Sequence, residues 1–80
     1  MNNSINKSTI IRKKNIDKTQ KLKTDIYKKL ENASRPLSTS DLVHELERAW
    51  HTIDRACLML QIDGKIEGFK VGKMNLWRTI

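Results

Sequence analysis

Apolar positions recur at helical intervals through the middle of the chain and nearly alternate toward its end. Leu22, Ile26, Leu30 and Ala33 fall on one stripe, with Tyr27 beside it and lysines on the other face. That spacing predicts a first helix from Lys18 to somewhere between Asn32 and Ser34. Pro36 cannot continue it, because the ring removes an amide donor and clashes with the preceding turn. "RPLS" is therefore expected to be extended or a first short strand. "STSD" at residues 38–41 then reads as a capping box: Ser38 accepts from the Asp41 amide while Asp41 bonds back. Leu42, Val43 and Leu46 point a second helix inward. Ile53, Ala56, Cys57 and Leu60, spaced 3, 1 and 3, are the buried stripe of a third. Gly64 ends that helix, since glycine takes a left-handed conformation without steric cost.

Beyond Gly64, "KIEGFKVG" and "NLWRTI" flank "KM", with apolar residues at 66, 69, 71, 76, 77 and 80. Two strands joined by a turn at Gly72 to Asn75 are expected, with a bulge at Gly68 where the alternation falters. Isoleucines 5, 10, 11 and 16 fit neither period, so residues 1–16 are expected to be a flexible arm. Residues 17–80 form one domain, mostly α with a small β-hairpin.

Helix, short strand, helix, turn, helix and hairpin is the order of a winged helix-turn-helix domain. "TIDRACLMLQIDGKI" resembles the recognition-helix signature of winged-helix transcription regulators. Its apolar, basic, paired apolar, leucine and glycine places are held by Ile53, Arg55, Ala56 with Cys57, Leu60 and Gly64. "AWHTI", "GKI" and the late "NLW" are also similar to small archaeal-type regulators. The resemblance covers Lys18 to Ile80 and implies three helices plus a wing, with helix 3 offered to a DNA major groove. The turn "ERA" lacks the glycine often found there, and Ala49 stands where a Ser or Thr cap is usual. The same stretch resembles the left-handed-duplex-binding domains of RNA-editing adenosine deaminases. Asp54 and Leu58 stand where those carry Asn and Tyr, and no proline precedes Trp77.

Charge sharpens this picture. The chain carries +7 overall, and residues 1–30 hold nine Lys or Arg against two Asp, whereas residues 31–80 balance at seven each. A basic arm on a neutral body suits a polyanionic partner, because Lys and Arg near phosphates release condensed counterions. An AT-rich coding sequence would also enrich Lys, Asn and Ile.

The outward positions expected on helix 3 are His51, Thr52, Asp54 and Arg55. A major groove admits one helix, whose N-terminal side chains reach base edges. Arg55 is placed to fork to guanine O6 and N7, or else to pair with Asp54 or Glu47. His51 and Thr52 suit bases or phosphates, Thr52 alternatively serving as a helix cap. Asp54 repels phosphate but can accept from cytosine N4. Lys70, Lys73 and Arg78 on the hairpin, and Arg12, Lys13, Lys14 and Lys18 in and beside the arm, suit the backbone or an adjacent minor groove. Trp50 either flanks the groove or packs under the turn, with packing expected, and Trp77 is expected to lie over helix 3 as core. Leu58, Met59 and Ile62 fall outside the buried stripe, so either helix 1 and the wing wrap helix 3 or a patch remains for a partner such as a second copy. Wrapping is the expectation.

Nothing points to an enzyme. Cys57, the single cysteine, lies on the buried stripe without an activating base, and no phosphate loop, carboxylate pair or nucleophile constellation occurs. Two histidines and one cysteine make no zinc module, so neither metal nor cofactor is expected. Polar and basic residues after Met1, and no long apolar run, predict a protein neither exported nor membrane-spanning. A cytoplasmic, nucleoid-associated, sequence-specific binder of double-stranded DNA that regulates transcription, with a second copy as a candidate partner and without a small-molecule ligand, is expected. The alternative is a winged-helix protein-interaction module.

Overall fold

The computed structural model describes residues 18–80, so the arm expected at 1–16 lies outside the described residues. Helix α1 covers 18–32. Strand β1 (Leu37–Ser38), helices α2 (Thr39–Leu46) and α3 (Trp50–Ile62), and strands β2 (Ile66–Val71) and β3 (Met74–Thr79) follow. This is the element order expected of a winged helix-turn-helix.

The stripes named from spacing meet in one core: Leu22, Ile26 and Leu30 from α1, Leu42 from α2, and Ile53, Ala56, Cys57 and Leu60 from α3. Ile66 and Trp77 close it from the sheet, with Tyr27, Leu37, Val43 and Leu46 partly buried against it. Ala33 lies just past the end of α1 and is only half-buried. Lys23 reaches from α1 to Asp63 at the end of α3, 2.9 Å away, fixing the two helices at that end.

The capping box forms as the sequence predicts. Ser38 Oγ accepts from the Asp41 amide at 3.0 Å, and Asp41 Oδ2 accepts from the Ser38 amide at 3.0 Å. The Ser38 amide chiefly holds the Asp41 carboxyl below its usual 3.8; burial opposes it, and the Ser38 hydroxyl and nearby Arg35 add lesser lowering effects. A depressed carboxylate contributes stability above its unfolded pKa and loses it as pH falls through the folded one. Asp41 thus adds a small increment at neutral pH that fades in acid, below about pH 4. Ser38→Ala is expected to cost about 0.5–2 kcal/mol in denaturant unfolding and to return the Asp41 titration toward its usual value by NMR.

Glu47 ends α2 at φ 53°, its amide donating to the Val43 carbonyl at 2.8 Å. The missing glycine of "ERA" is therefore a real conformational cost, borne by a glutamate in the left-handed region. Glu47→Gly is expected to raise stability by about 0.5–1 kcal/mol; a loss of stability on urea denaturation would mean that the Glu47 side chain outweighs the backbone cost. At the far end of α3, Gly64 (φ 75°) donates to the Gln61 carbonyl and Lys65 to that of Leu60, the paired bonds of a Schellman stop.

The sheet order is β1-β3-β2, all antiparallel. Pairing of β2 with β3 runs unbroken from Ile66↔Thr79 to Val71↔Met74, so the bulge expected at Gly68 does not form. Gly68 instead leaves room opposite Trp77: a Cβ there would lie 2.5 Å from Cζ3 of the indole. The turn is also tighter than expected, with Gly72 and Lys73 alone between the strands. Positive φ at Gly72 only, 63°, suits the II′ hairpin geometry that matches strand twist.

Two packing expectations are corrected. Trp50 does not pack under the turn; it is 49 % exposed at the start of α3. Helix α3 is not wrapped all round either, since Leu58 and Ile62 remain 46 % and 84 % exposed. Both follow from the size of the fold: α1, α2 and the sheet cover one side of α3 and nothing described reaches the other.

Candidate nucleic-acid interface

At 3.6 residues per turn, His51, Arg55, Leu58 and Ile62 share a band about 60° wide, opposite Ile53 and Leu60. All four are exposed. Trp50, Asp54 and Gln61 fall on the flank that faces the hairpin. Asp54, Leu58, Gln61, Lys70 and Asn75 surround a depression floored by Gly68 and Trp77. A second depression continues past Asn75 to the wing tip, bounded by Trp50, Lys73, Met74 and Ser40 at the start of α2. Helix α3 and the wing therefore present one surface.

Trp77 holds these parts in register. Its ring is 3 % exposed, and its Nε1 donates to Thr39 Oγ1 at 2.9 Å, tying β3 to α2 beneath the surface. It is core, as expected, with its polar atom satisfied.

The electrostatics are asymmetric. Arg48, Arg55, Lys70 and Lys73 form no ion pair with any described residue. On and just after α1, Lys21, Lys23, Lys29 and Arg35 each face a carboxylate within 4 Å, while Lys18 and Lys28 of α1 and Lys65 face none among the described residues. The Arg55 pairing with Asp54 or Glu47 weighed from the sequence is absent, leaving the guanidinium open to a ligand. Helix α3 begins at Ala49, which supplies no side-chain cap, and its first turn holds no acidic residue. Its positive dipole end is thus neutralised by nothing in that turn.

The remaining positions separate. His51 is exposed beside Arg55, while Thr52 is half-buried on the flank away from the wing. Asp54 is half-buried facing the wing. Arg78 points to the opposite sheet face: its Nε and Nη2 donate to Glu67 Oε1 at 3.1 and 2.9 Å, and its guanidinium carbon lies 5.2 Å from the Phe69 ring centre. Lys18 is exposed at the first described turn of α1 and lines neither depression. Arg12, Lys13 and Lys14 lie outside the described residues. The surface also includes Gln61 and Asn75, which spacing did not single out; neutral amides carry no periodic signal.

Cys57 is fully buried, and that burial, with a smaller push from Asp54, raises its thiol to about 12. A thiol so held is not a nucleophile at neutral pH. Among the described residues no group of three or more His, Cys, Asp or Glu is placed to hold a metal ion, and no helix is long and apolar enough to cross a membrane.

Among solved structures, the chain is similar to one described by the DNA recognition and protein interaction domains of HOP2 and its homologous DNA pairing properties. The two are 22 % identical with a TM-score of 0.68, over 74 % of this chain and 98 % of that one. The fold is that of a winged helix. No protein-family model and no curated protein matches the chain. A winged helix built on these residues leaves its third helix and hairpin jointly exposed, with the unpaired Arg55, Lys70 and Lys73 on that side.

Proposed function

We propose that the chain binds double-stranded DNA, with α3 in the major groove and the wing against the neighbouring backbone. The observation that carries this reading is that Arg55 on the outward band of α3 and Lys70 and Lys73 on the hairpin lie on one exposed face and have no ion pair with any described residue. The likeness to the HOP2 structure, described by DNA recognition, adds to it. Arg55 and His51 contact base edges; Lys70 and Lys73 hold phosphates and set the register of the helix. Arg78, occupied by Glu67, contributes less than the other wing cations. The finer proposal is sequence-specific binding in transcription regulation, without catalysis, by a cytoplasmic protein acting as a dimer on paired half-sites.

A second reading has its own observation. Phe69, Val71 and Met74 leave apolar surface exposed on the wing, and Leu58 and Ile62 do so on α3, which suits a protein partner. Enrichment of a randomised duplex library by the full chain over a salt series separates the two. A steep salt slope with recovered sequences in common supports DNA reading, whereas a weak, flat response favours the interaction module. Replacing Arg12, Lys13 and Lys14 by alanine in the full chain is expected to lower affinity for all sequences alike.

A further inference from the structure

Leu58 is an apolar side chain set between cations on the surface formed by α3 and the wing. It stands 46 % exposed on the outward band of α3, one turn beyond Asp54 and Arg55, at the rim of the depression that Lys70 and Asn75 close from the wing. None of the elements around it covers it: the core lies on the opposite side of the helix, and the wing reaches only its flank. Its place along the axis limits what it can meet. Leu58 lies about 10 Å along the axis from His51 and Ile62 about 16 Å, so Leu58 is the nearer of the two to the N-terminal residues of α3 that suit base edges. A major groove offers one apolar group, the methyl at C5 of thymine, which is also present in 5-methylcytosine. Charge complementarity favours DNA on this patch, because the cations around it, Arg55 and Lys70, have no ion pair with any described residue.

We infer that Leu58 is a specificity residue that packs against a pyrimidine C5 methyl, so that the protein selects sites with a thymine about one helical turn of α3 from the base met by Arg55. This rests on the DNA-binding reading and names what that surface selects. Asp54, on the same turn as Arg55 and facing the wing, adds a bias against phosphate at that point. The methyl contact therefore sits among base edges rather than along the backbone.

The test uses the full chain and the duplexes it enriches from a randomised library, each resynthesised with deoxyuridine for thymidine. Losing the methyls is expected to weaken binding about fourfold for each contacted methyl. Returning thymidine to the uracil duplex one position at a time keeps every pairing partner and is expected to restore binding only at the contacted position. In Leu58→Ala the uracil and thymine duplexes are expected to bind alike, while Ile62→Ala keeps the wild-type difference. Leu58 is exposed, so its alanine variant is expected to fold, which unchanged circular dichroism would establish. Equal binding of thymine and uracil duplexes by the wild-type chain would overturn the inference and leave DNA binding intact. An undiminished methyl effect in Leu58→Ala would assign it to another residue. Failure to bind any duplex would overturn both readings together.

Discussion

Trp77→Ala is expected to remove about 3–5 kcal/mol, most of what a domain this small has to lose. The indole fills the space opposite Gly68, lies over the helices at 3 % exposure and closes a hydrogen bond to Thr39. Alanine leaves a cavity between sheet and helices and strands the buried Thr39 hydroxyl. Two gentler changes separate these contributions. Thr39→Val keeps the shape but leaves the indole N–H unpaired, expected to cost about 1–3 kcal/mol. Gly68→Ala keeps the bond but drives a methyl into the ring, expected to cost about 1–3 kcal/mol by overpacking. Urea unfolding monitored by circular dichroism measures all three. A Trp77→Ala chain as stable as wild type would mean that the sheet is not part of the core.

The second large effect concerns affinity. Arg55→Ala is expected to weaken binding of a preferred duplex by about 1–3 kcal/mol and to blur the preference, because a guanidinium directed at a base edge discriminates between bases. Lys70→Ala with Lys73→Ala is expected to weaken every duplex alike and to flatten the dependence of log affinity on log salt by about two units, one for each phosphate contact. Electrophoretic shift or fluorescence anisotropy over a salt series reads both. Equal, sequence-independent losses from the two variants would remove Arg55 from base reading.

The sequence made the framework legible because burial imposes periodicity. Leu22, Ile26 and Leu30, then Ile53, Ala56, Cys57 and Leu60, are at once the spaced positions and the core. Ser38 and Asp41 were legible as a cap because the reciprocal bonds need only three residues of chain. What spacing did not reveal depends on contacts between distant segments. Gly68 reads as a bulge until Trp77, its cross-strand partner, is seen to occupy the place of its side chain. Trp50 reads as core by residue type, yet nothing among the described residues reaches over it. Of the four outward positions expected on α3, His51 and Arg55 are exposed, while Thr52 and Asp54 are half-buried on opposite flanks of the helix. The pairing of Arg78 with Glu67 follows from strand register, which sets those two residues side by side.

The most direct measurement is a comparison of duplex binding across a salt series between the full chain, a variant with Arg55, Lys70 and Lys73 replaced by alanine, and a variant with Lys28 and Lys65 so replaced. Lys28 and Lys65 are also without ion-pair partners among the described residues, but they sit on the side of α1, beside Leu46 and Tyr27 respectively. If α3 and the wing form the DNA surface, the first variant loses most of the affinity and about two units of salt slope, and the second stays close to wild type. Equal losses from the two variants would show that net charge alone attracts the duplex, and would contradict a binding face built from the third helix and its wing.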